Sequence, residues 1–286
     1  MTKWLEGKVA VITGSGGGIG RATALEMANQ GAKVVVADIG KDANGAWMAD
    51  NVVKEIVSNN GVAAASYGNV ATPEGAAGIV ETATKNFGRL DILVNCAGNF
   101  KIAPTIDMTD ELWNSIMDVH LRGHFNCIRA AARVMIPQKS GGRIINISSR
   151  SAGIVPGPKF ANSAYCSAKA GILGLTSSNA VEFEPYGITV NAILPSADTK
   201  LFPGIKGPLG SLPGSDFVDP EYVAPIMAYL ATDQAQSITG RYIYARGEDV
   251  CVFARPLQVS SATLLRGRGK WTIEALHQTV SAVVGS

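Results

Sequence analysis

The chain has 286 residues, of which 47% are hydrophobic, so it is long enough to bury one large core or two smaller ones. Its formal net charge is only +2 and its basic residues form no conspicuous cluster, which argues against a nucleic-acid partner or an anionic membrane surface. No apolar run reaches the roughly 20 residues of a membrane span, and the 4 widely spaced cysteines indicate reduced thiols in a cytoplasmic protein.

Short apolar runs alternate with segments of helical spacing along the whole chain. In chain order, the predicted elements are a strand at 9–12, a helix at 19–30, a strand at 34–37, a helix at 49–59, a strand at 62–67, a helix at 73–87, a strand at 92–94, a long helix at 110–135, a strand at 143–147, a helix around Tyr165, a strand at 188–194, a helix at 220–231 and a strand at 242–245. Apolar strands of this kind are typical of a parallel sheet covered by helices on both faces. We therefore predict an α/β fold, in which one doubly wound domain over residues 1–247 contains a seven-stranded parallel sheet. Residues 248–286 are predicted to pack on that domain or on a neighbouring subunit.

The first strand leads into a glycine-rich sequence, Thr13 to Gly20, that precedes the first helix. Glycines at such a junction let backbone amides close on a pyrophosphate at the helix N-terminus. The loop alone could be a plain tight turn, but Asp38 ends the second strand eighteen residues after Gly20. A carboxylate there can accept hydrogen bonds from the adenosine ribose and would repel a 2′-phosphate. The combination predicts a Rossmann domain with NAD as its cofactor.

Three further motifs follow in order. An Asn-Cys-Ala-Gly sequence at 95–98 follows the fourth strand, serines at 148–149 follow the fifth, and Tyr165 and Lys169 lie four residues apart in a run of small residues. In a helix that spacing places both side chains on one face, one turn apart. With the glycine loop, these motifs resemble the short-chain dehydrogenase/reductase family over about 7–245. Within it, 120–123 and 220–225 resemble the 3-hydroxyacyl-CoA dehydrogenase part of the type 2 peroxisomal multifunctional enzymes.

The resemblance implies an oxidoreductase that interconverts a secondary alcohol and a ketone, with Tyr165 as the acid/base. A phenol with a usual pKa of about 10 is a poor base near neutrality, but an ammonium group nearby favours the phenolate. Lys169 would supply that charge and also hold the nicotinamide ribose. A serine would hold the substrate oxygen; Ser148, Ser149 and Ser151 compete for this role, and the family pattern selects Ser149. Tyr165 and Lys169 could also be ordinary helix residues, but the accompanying motifs argue against that interpretation.

The cofactor site implied by the resemblance extends over several loops. Asn69 and Val70 would flank the adenine, and Thr199 would bond the nicotinamide amide after a stiff Pro195-Ser196 pair. The full predicted set comprises Gly14, Ser15, Gly18, Ile19, Gly20, Asp38, Asn69, Val70, Asn95, Ala97, Gly98, Tyr165, Lys169, Pro195 and Thr199.

The sequence departs from the family pattern at His120. Many members have an asparagine here that supports a water-mediated proton relay, so we predict that His120 is catalytic and serves the relay in an altered form. His124 follows one turn later and invites a metal interpretation. Because the sequence places no acidic residue or third ligand nearby, we predict no metal site and a structural His124.

The substrate is predicted to be a small hydrophobic alcohol or ketone, such as a 3-hydroxyacyl thioester or a steroid-like alcohol. Residues 195–219 combine prolines and glycines with apolar side chains, which predicts either a lid over that substrate or an ordinary packed loop. The resemblance implies a homotetramer formed by the helices around Trp113 and Phe183. The alternative function is a catalytically silent dinucleotide-binding redox sensor or scaffold, which the intact set of Ser149, Tyr165 and Lys169 argues against.

Overall fold

In the computed structural model, the described residues are 3–101, 103–152, 162–197, 199 and 218–253, and they form a sheet with helices on both faces. The strands are β1 (Val9–Thr13), β2 (Lys33–Ala37), β3 (Val62–Ser66), β4 (Ile92–Asn95), β5 (Gly142–Ile147), β6 (Ile188–Pro195), β7 (Tyr242–Arg246) and β8 (Asp249–Val252). The helices are α1 (Gly18–Asn29), α2 (Met48–Ser58), α3 (Pro73–Phe87), α4 (Asp110–Met117), α5 (Gly123–Gln138), α6 (Ser163–Glu182) and α7 (Ala224–Leu230). Short 3₁₀ turns lie at Thr105–Asp107, Glu184–Tyr186, Pro220–Tyr222 and Asp233–Ala235.

The strand order is β3-β2-β1-β4-β5-β6-β7-β8, and the pairs from β3 to β7 are parallel. From β1 the chain adds β2 and β3 on one side of the sheet, and from β4 it adds β5, β6 and β7 on the other side. The direction in which strands are added therefore reverses between β1 and β4. In register, Thr13 pairs with Asn95, and Asn95 pairs with Asn146. The carboxyl ends of three central strands therefore meet at the point where doubly wound sheets bind their ligands.

Over the described residues the sheet has eight strands, where seven were predicted. β8 runs antiparallel to β7, and its four residues are exposed. β8 contains an apolar run, Val250 to Val252, which the sequence analysis did not assign to a strand. The chain reverses at Gly247, whose φ is +51°, so the boundary predicted at residue 248 falls inside this hairpin. The compact unit that contains the sheet extends to Val252.

Two hydrophobic cores lie on opposite faces of the sheet. Because consecutive strand residues point to opposite faces, Ile12 and Val94 pack towards α1, α2 and α7, while Val11 and Leu93 pack towards α3, α5 and α6. All four side chains are fully buried. Full burial of one such side chain contributes roughly 1.5–3 kcal/mol. Burial on both faces explains why the central strands are apolar throughout, as the sequence analysis inferred.

The helix predicted as one piece over 110–135 consists of α4, a π-helical segment at Asp118–Arg122, and α5. A π segment accommodates an extra residue in its turn and is frequent at functional sites. Here His120 is buried, whereas Asp118 and Arg122 stay at the surface, where their charged atoms are 3.1 Å apart. The π segment therefore changes which residue of this helix faces the interior.

Two predicted features lie outside the described residues. One is most of the predicted lid at 195–219. The other is most of the segment 248–286, which is predicted to pack on the domain or on a neighbouring subunit, so both stay predictions. None of the described helices combines the length and the apolar character needed to cross a membrane.

Candidate active site

The glycine-rich loop joins β1 to α1 in a tight conformation. Gly14 has a φ of +66°, and a Cβ placed on it would lie 2.6 Å from Ala97 Cα. Gly18 has a φ of +52°, and its Cβ would lie 3.3 Å from Thr199 Cγ2. Both positions therefore require glycine, and Thr199 is brought beside the loop. α1 begins at Gly18, so its first backbone amides are available to a pyrophosphate. The residues present thus fit a dinucleotide.

The hydroxyl of Ser15 is used inside the protein. Ser15 is fully buried; its Oγ donates to the Ile12 carbonyl oxygen at 2.6 Å and accepts from the Ala37 amide at 3.1 Å. These bonds tie the glycine loop to β1 and β2. The Ser15 amide is also engaged, since it donates to the Ala37 carbonyl oxygen at 3.2 Å.

Asp38 follows β2 and faces the glycine loop. Its Oδ2 accepts from the Gly16 amide at 2.8 Å, and its Oδ1 accepts from the Gly40 amide at 2.7 Å. The two bonds fix the carboxylate in place. Because each carboxylate oxygen has two lone pairs, both oxygens can still accept from ribose hydroxyls.

Thr13 has a role that the sequence analysis did not assign. Its Oγ1 accepts from the amides of Cys96 and Ala97 at 3.0 and 3.1 Å. Thr13 therefore anchors the loop after β4 to the end of β1, directly beside Gly14. The sequence does show a hydroxyl residue at the end of the first strand. It could not show the role of that hydroxyl, because the two amides that bond to it lie more than eighty residues further along the chain.

Asn95 lies at the start of a buried chain of hydrogen bonds. Its Nδ2 donates to Asn146 Oδ1 at 3.0 Å, and Asn146 Nδ2 donates to Thr176 Oγ1 at 3.0 Å. Thr176 in turn donates to the Ile172 carbonyl oxygen at 2.8 Å. This chain links β4 and β5 to α6. The predicted cofactor residue Asn95 thus directs its amide nitrogen into the protein, where it positions the strand ends against the helix of Tyr165.

The predicted adenine residues follow β3. Asn69 is exposed, and the Val70 side chain is buried beneath it. Asn126 of α5 donates from Nδ2 to the Val70 carbonyl oxygen at 3.1 Å. Asn126 was not singled out by the sequence analysis, because its partner lies on a different element of the fold. It holds the loop after β3 in place.

Tyr165 lies in the first turn of α6. Asn162 caps this helix by accepting from the Tyr165 amide at 2.9 Å. The Tyr165 side chain is only 4% exposed, and it forms a hydrogen bond with the Ser149 side chain. The neighbouring Ser148 instead donates to the Lys169 carbonyl oxygen at 2.8 Å, and the Ser151 amide donates to Ser149 Oγ at 3.1 Å. Of the three competing serines, Ser149 is therefore the one seen to bond the phenol.

Lys169 is buried one turn after Tyr165. Its Nζ donates to the Ile147 carbonyl oxygen at 2.7 Å and lies 5.6 Å from the centroid of the Tyr165 ring. Burial lowers the pKa of Lys169 to about 8. Burial also raises the pKa of Tyr165 above its usual value, and the Ser149 hydrogen bond opposes that rise. The protein's own residues thus do not produce the lowered phenol pKa that we expected, because desolvation of the phenolate dominates.

His120 contacts the same tyrosine. Its ring meets the Tyr165 ring edge-to-face, with centroids 5.3 Å apart. Nε2 lies 2.7 Å from the Asn99 carbonyl oxygen and 3.1 Å from the Asn99 amide nitrogen. The shorter contact requires a proton on Nε2, which leaves Nδ1 as a buried acceptor without a partner among the described residues. Burial, followed by the charge of Lys169, lowers the pKa of His120 to about 3, so the imidazole is neutral.

Two other side chains, Phe100 and His124, lie near Tyr165 and His120. Phe100 packs edge-to-face on the Tyr165 ring, with centroids 5.1 Å apart. His124 is buried, and burial lowers its pKa well below the usual range. Phe100 was missed by the sequence analysis, since one aromatic residue after the Asn-Cys-Ala-Gly sequence carries no pattern of its own.

Comparisons with known proteins identify the family of the chain. The sequence model of the short chain dehydrogenase family matches residues 8–202. The chain belongs to the short-chain dehydrogenase family. A 3-oxoacyl-[acyl-carrier-protein] reductase of Synechocystis is 40% identical over 241 residues, which cover 83% of this chain and 94% of that protein. A peroxisomal multifunctional enzyme type 2 of Drosophila melanogaster is 40% identical over 244 residues, which cover 83% of this chain but only 38% of the relative.

Solved structures of short-chain dehydrogenases also match. The crystal structure of a short chain dehydrogenase from Mycobacterium avium superposes with a TM-score of 0.84 and 35% sequence identity, covering 99% of this chain and 96% of that one. As a short-chain dehydrogenase, the protein is an oxidoreductase that acts in alcohol/ketone chemistry with a nicotinamide dinucleotide, NAD or NADP.

Proposed function

We propose that this short-chain dehydrogenase is NAD(H)-dependent, that Tyr165 is its acid/base, and that it interconverts the alcohol and ketone forms of a hydrophobic substrate. The observation that carries the proposal is the contact of Ser149 with Tyr165 beside buried Lys169. These three groups lie at the carboxyl edge of the sheet, as do the glycine loop and Asp38. A hydroxyl, a phenol and an ammonium group suit proton transfer to and from an alcohol oxygen.

The proposed proton path uses side chains of this chain only. In oxidation, Tyr165 accepts the hydroxyl proton of the substrate, while Ser149 donates a hydrogen bond to the same oxygen. In reduction, Tyr165 returns a proton to the carbonyl oxygen. Since the pKa of Lys169 is about 8, the ammonium group is mostly charged near neutrality and favours the phenolate against the cost of burial. When bound, the dinucleotide supplies the hydride acceptor or donor.

His120 is proposed to act by position. A neutral imidazole with a pKa of about 3 takes up no proton near neutral pH. Its bond to the Asn99 carbonyl oxygen and its contact with the Tyr165 ring instead connect the loop after β4 to the phenol. Its Nδ1 acceptor is the group on which an altered water relay would depend.

The substrate is proposed to be a 3-hydroxyacyl or 3-oxoacyl thioester. An apolar cluster surrounds Tyr165. Its partly buried members Phe100, Met108 and Leu112 can face a ligand, whereas Trp113, Met117 and Leu121 line a surface cavity beside α6. The relative from Synechocystis is named as a reductase of a 3-oxoacyl group on its carrier protein. A steroid-like alcohol is the second candidate that such apolar surroundings would accept.

The test is an NADH absorbance assay with acetoacetyl-CoA and with a steroid ketone, each at equal concentration. Turnover of the thioester above that of the steroid, and its loss in Tyr165→Phe, would support the proposal. Faster turnover of the steroid ketone would overturn the thioester assignment and leave the tyrosine mechanism standing. NADH binding without turnover of either substrate would favour the silent sensor instead.

A further inference from the structure

The segment between β2 and α2 forms a loop held by its own hydrogen bonds. Asp42 Oδ1 accepts from the amides of Asn44 and Ala46 at 2.9 and 3.0 Å. The Met48 amide donates to the Gly40 carbonyl oxygen at 2.9 Å, which closes the loop where α2 begins. The loop is therefore preorganised, and it delivers Met48 to a defined position.

Met48 lies on the glycine loop. A Cβ placed on Gly16 would be 2.6 Å from Met48 Cβ and 2.8 Å from Asp38 Oδ2. A Cβ on Gly17 would be 3.3 Å from Met48 Cε, and one on Gly40 would be 3.1 Å from Met48 Sδ. The methionine side chain thus covers the two middle glycines of the loop on the side where the Asp38 carboxylate lies.

Two cations on elements that flank the glycine loop, Arg21 and Lys41, are already engaged. Arg21 of α1 donates from Nε to one carboxylate oxygen of Glu55 and from Nη2 to the other, at 3.1 and 2.5 Å. Lys41, which precedes Asp42 in the loop, places Nζ 4.4 Å from the centroid of the Trp47 ring. A phosphate beside Asp38 would have to draw either cation away from its present partner.

We propose that Met48 is a specificity-determining residue that closes the space beside the Asp38 carboxylate, so that a 2′-phosphate is excluded by shape as well as by charge. The inference rests on the proposed NAD(H) preference and on Asp38 as the ribose partner. A phosphate on a sugar held by Asp38 has to lie against the surface that Met48 covers. If both residues exclude the phosphate, a variant that lacks only the carboxylate still binds NADP(H) poorly. If charge alone excluded it, the same variant would bind NADP(H) well.

The test measures binding of NADH and NADPH by calorimetry in four proteins: the wild type, Asp38→Ser, Met48→Ala and the double variant. We expect the NADPH affinity of each single variant to differ from that of the wild type by less than about threefold. The double variant should bind NADPH at least about tenfold more tightly than either single variant. Val57→Ala, on an exposed position of α2, is the matched truncation control. Met48→Ser repeats the truncation with a residue suited to a helix start, in case the alanine variant folds poorly.

A conservative replacement separates shape from other effects. Met48→Leu keeps most of the side-chain volume, so combined with Asp38→Ser it should bind NADPH no better than Asp38→Ser alone. NADPH binding at NADH strength in Asp38→Ser alone would overturn the proposal, as would a double variant no better than that single variant. If the wild-type protein binds NADPH as tightly as NADH, or binds neither, the proposed NAD(H) function itself fails, which is a distinguishable result.

Discussion

At the scale of single residues, the site is built around one buried phenol. Tyr165 bonds Ser149, meets the rings of His120 and Phe100, and lies beside Lys169. Burial works against the charged form of both the phenol and the amine. Proton transfer at Tyr165 therefore depends on the few polar groups that face it, and each of them can be removed separately.

Tyr165→Phe should lower turnover by at least roughly 10²–10⁴-fold, because it removes the acid/base and little volume. NADH affinity should be retained. Lys169→Ala should also lower turnover, and it should weaken NADH binding because the ribose loses its partner. The measurements are steady-state rates and NADH binding for both variants. Equal NADH affinity in the two variants would contradict the assignment of Lys169 to the cofactor.

The three serines after β5 form a matched set for a second prediction. Ser149→Ala should lower kcat by roughly 10²-fold or more, since it removes the donor to the substrate oxygen. Ser151→Ala should leave the rate near that of the wild type, because only its backbone amide bonds Ser149. Ser148→Ala should mainly reduce stability, by about 1 kcal/mol, through the lost bond to the Lys169 carbonyl oxygen. Steady-state kinetics and urea unfolding of all three variants test this prediction. The largest loss of activity in Ser148→Ala would mean that Ser148, and not Ser149, holds the substrate oxygen.

At the scale of elements, two helix features place the side chains. The cap of α6 at Asn162 orients the first turn, which contains Tyr165. The π segment turns His120 inwards between α4 and α5. The sequence predicted a helix in both places, but its periodicity could not reveal a π turn, because one extra residue changes the facing side chain without a compositional signal.

Removal of the α6 cap should affect activity more than stability. Asn162→Ala should lower the free energy of unfolding by about 1–3 kcal/mol, because it removes the cap and also the bond from Asn162 Nδ2 to the Lys101 carbonyl oxygen. It should lower kcat because Tyr165 loses its anchor. Thr72→Ala is the control, since Thr72 caps α3 by accepting from the Gly75 amide at 3.1 Å, and α3 packs in a core that does not include Tyr165. Urea unfolding and kinetics of both variants test this; equal effects on kcat would show that the cap does not position the phenol.

At the scale of the whole molecule, the sheet determines where chemistry can occur, and the buried polar groups influence stability. The register brings the ends of β1, β4 and β5 together, and two buried histidines lie behind them on the π segment and α5. The homotetramer stays a prediction, which light scattering of the full chain would test against four times the 29.8 kDa of one chain.

The stability of the fold should fall as pH decreases below about 6.5. The pKa of His120 is about 3 in the folded protein and about 6.5 when unfolded. The unfolded state therefore binds the extra proton first, at a cost to stability of about 2 kcal/mol at pH 5. His124, whose pKa is also lowered, adds to the loss in the same direction, and the charge of Lys169 disfavours protonation of both histidines.

Urea unfolding at pH 7 and pH 5, at one protein concentration, measures this loss. His120→Asn lacks the titrating group, so its stability should decrease less than that of the wild type by about 2 kcal/mol over the same interval. An identical decrease in both proteins would mean that His120 does not govern the acid sensitivity.

The sequence by itself determined the alternation of strands and helices, the glycine loop and the helical pairing of Tyr165 with Lys169. Each of these leaves a local pattern in the sequence: apolar runs in buried strands, glycines where the chain turns tightly, and a four-residue helical spacing. It identified Ser149 only through a family pattern. β8 was missed because its apolar run, Val250 to Val252, is very short and lies beyond the predicted end of the domain.

Only the tertiary structure decided how distant groups meet. Three contacts join residues that are far apart in the chain. Thr13 accepts from the amides of Cys96 and Ala97, Met48 packs over Gly16, and the His120 ring meets the Tyr165 ring edge-to-face. Tertiary structure also set the direction of the Tyr165 pKa shift, because burial is a property of the assembled core. The reason is physical: hydrogen-bond partners and desolvation depend on which elements converge, and the spacing of residues along one segment does not contain that information.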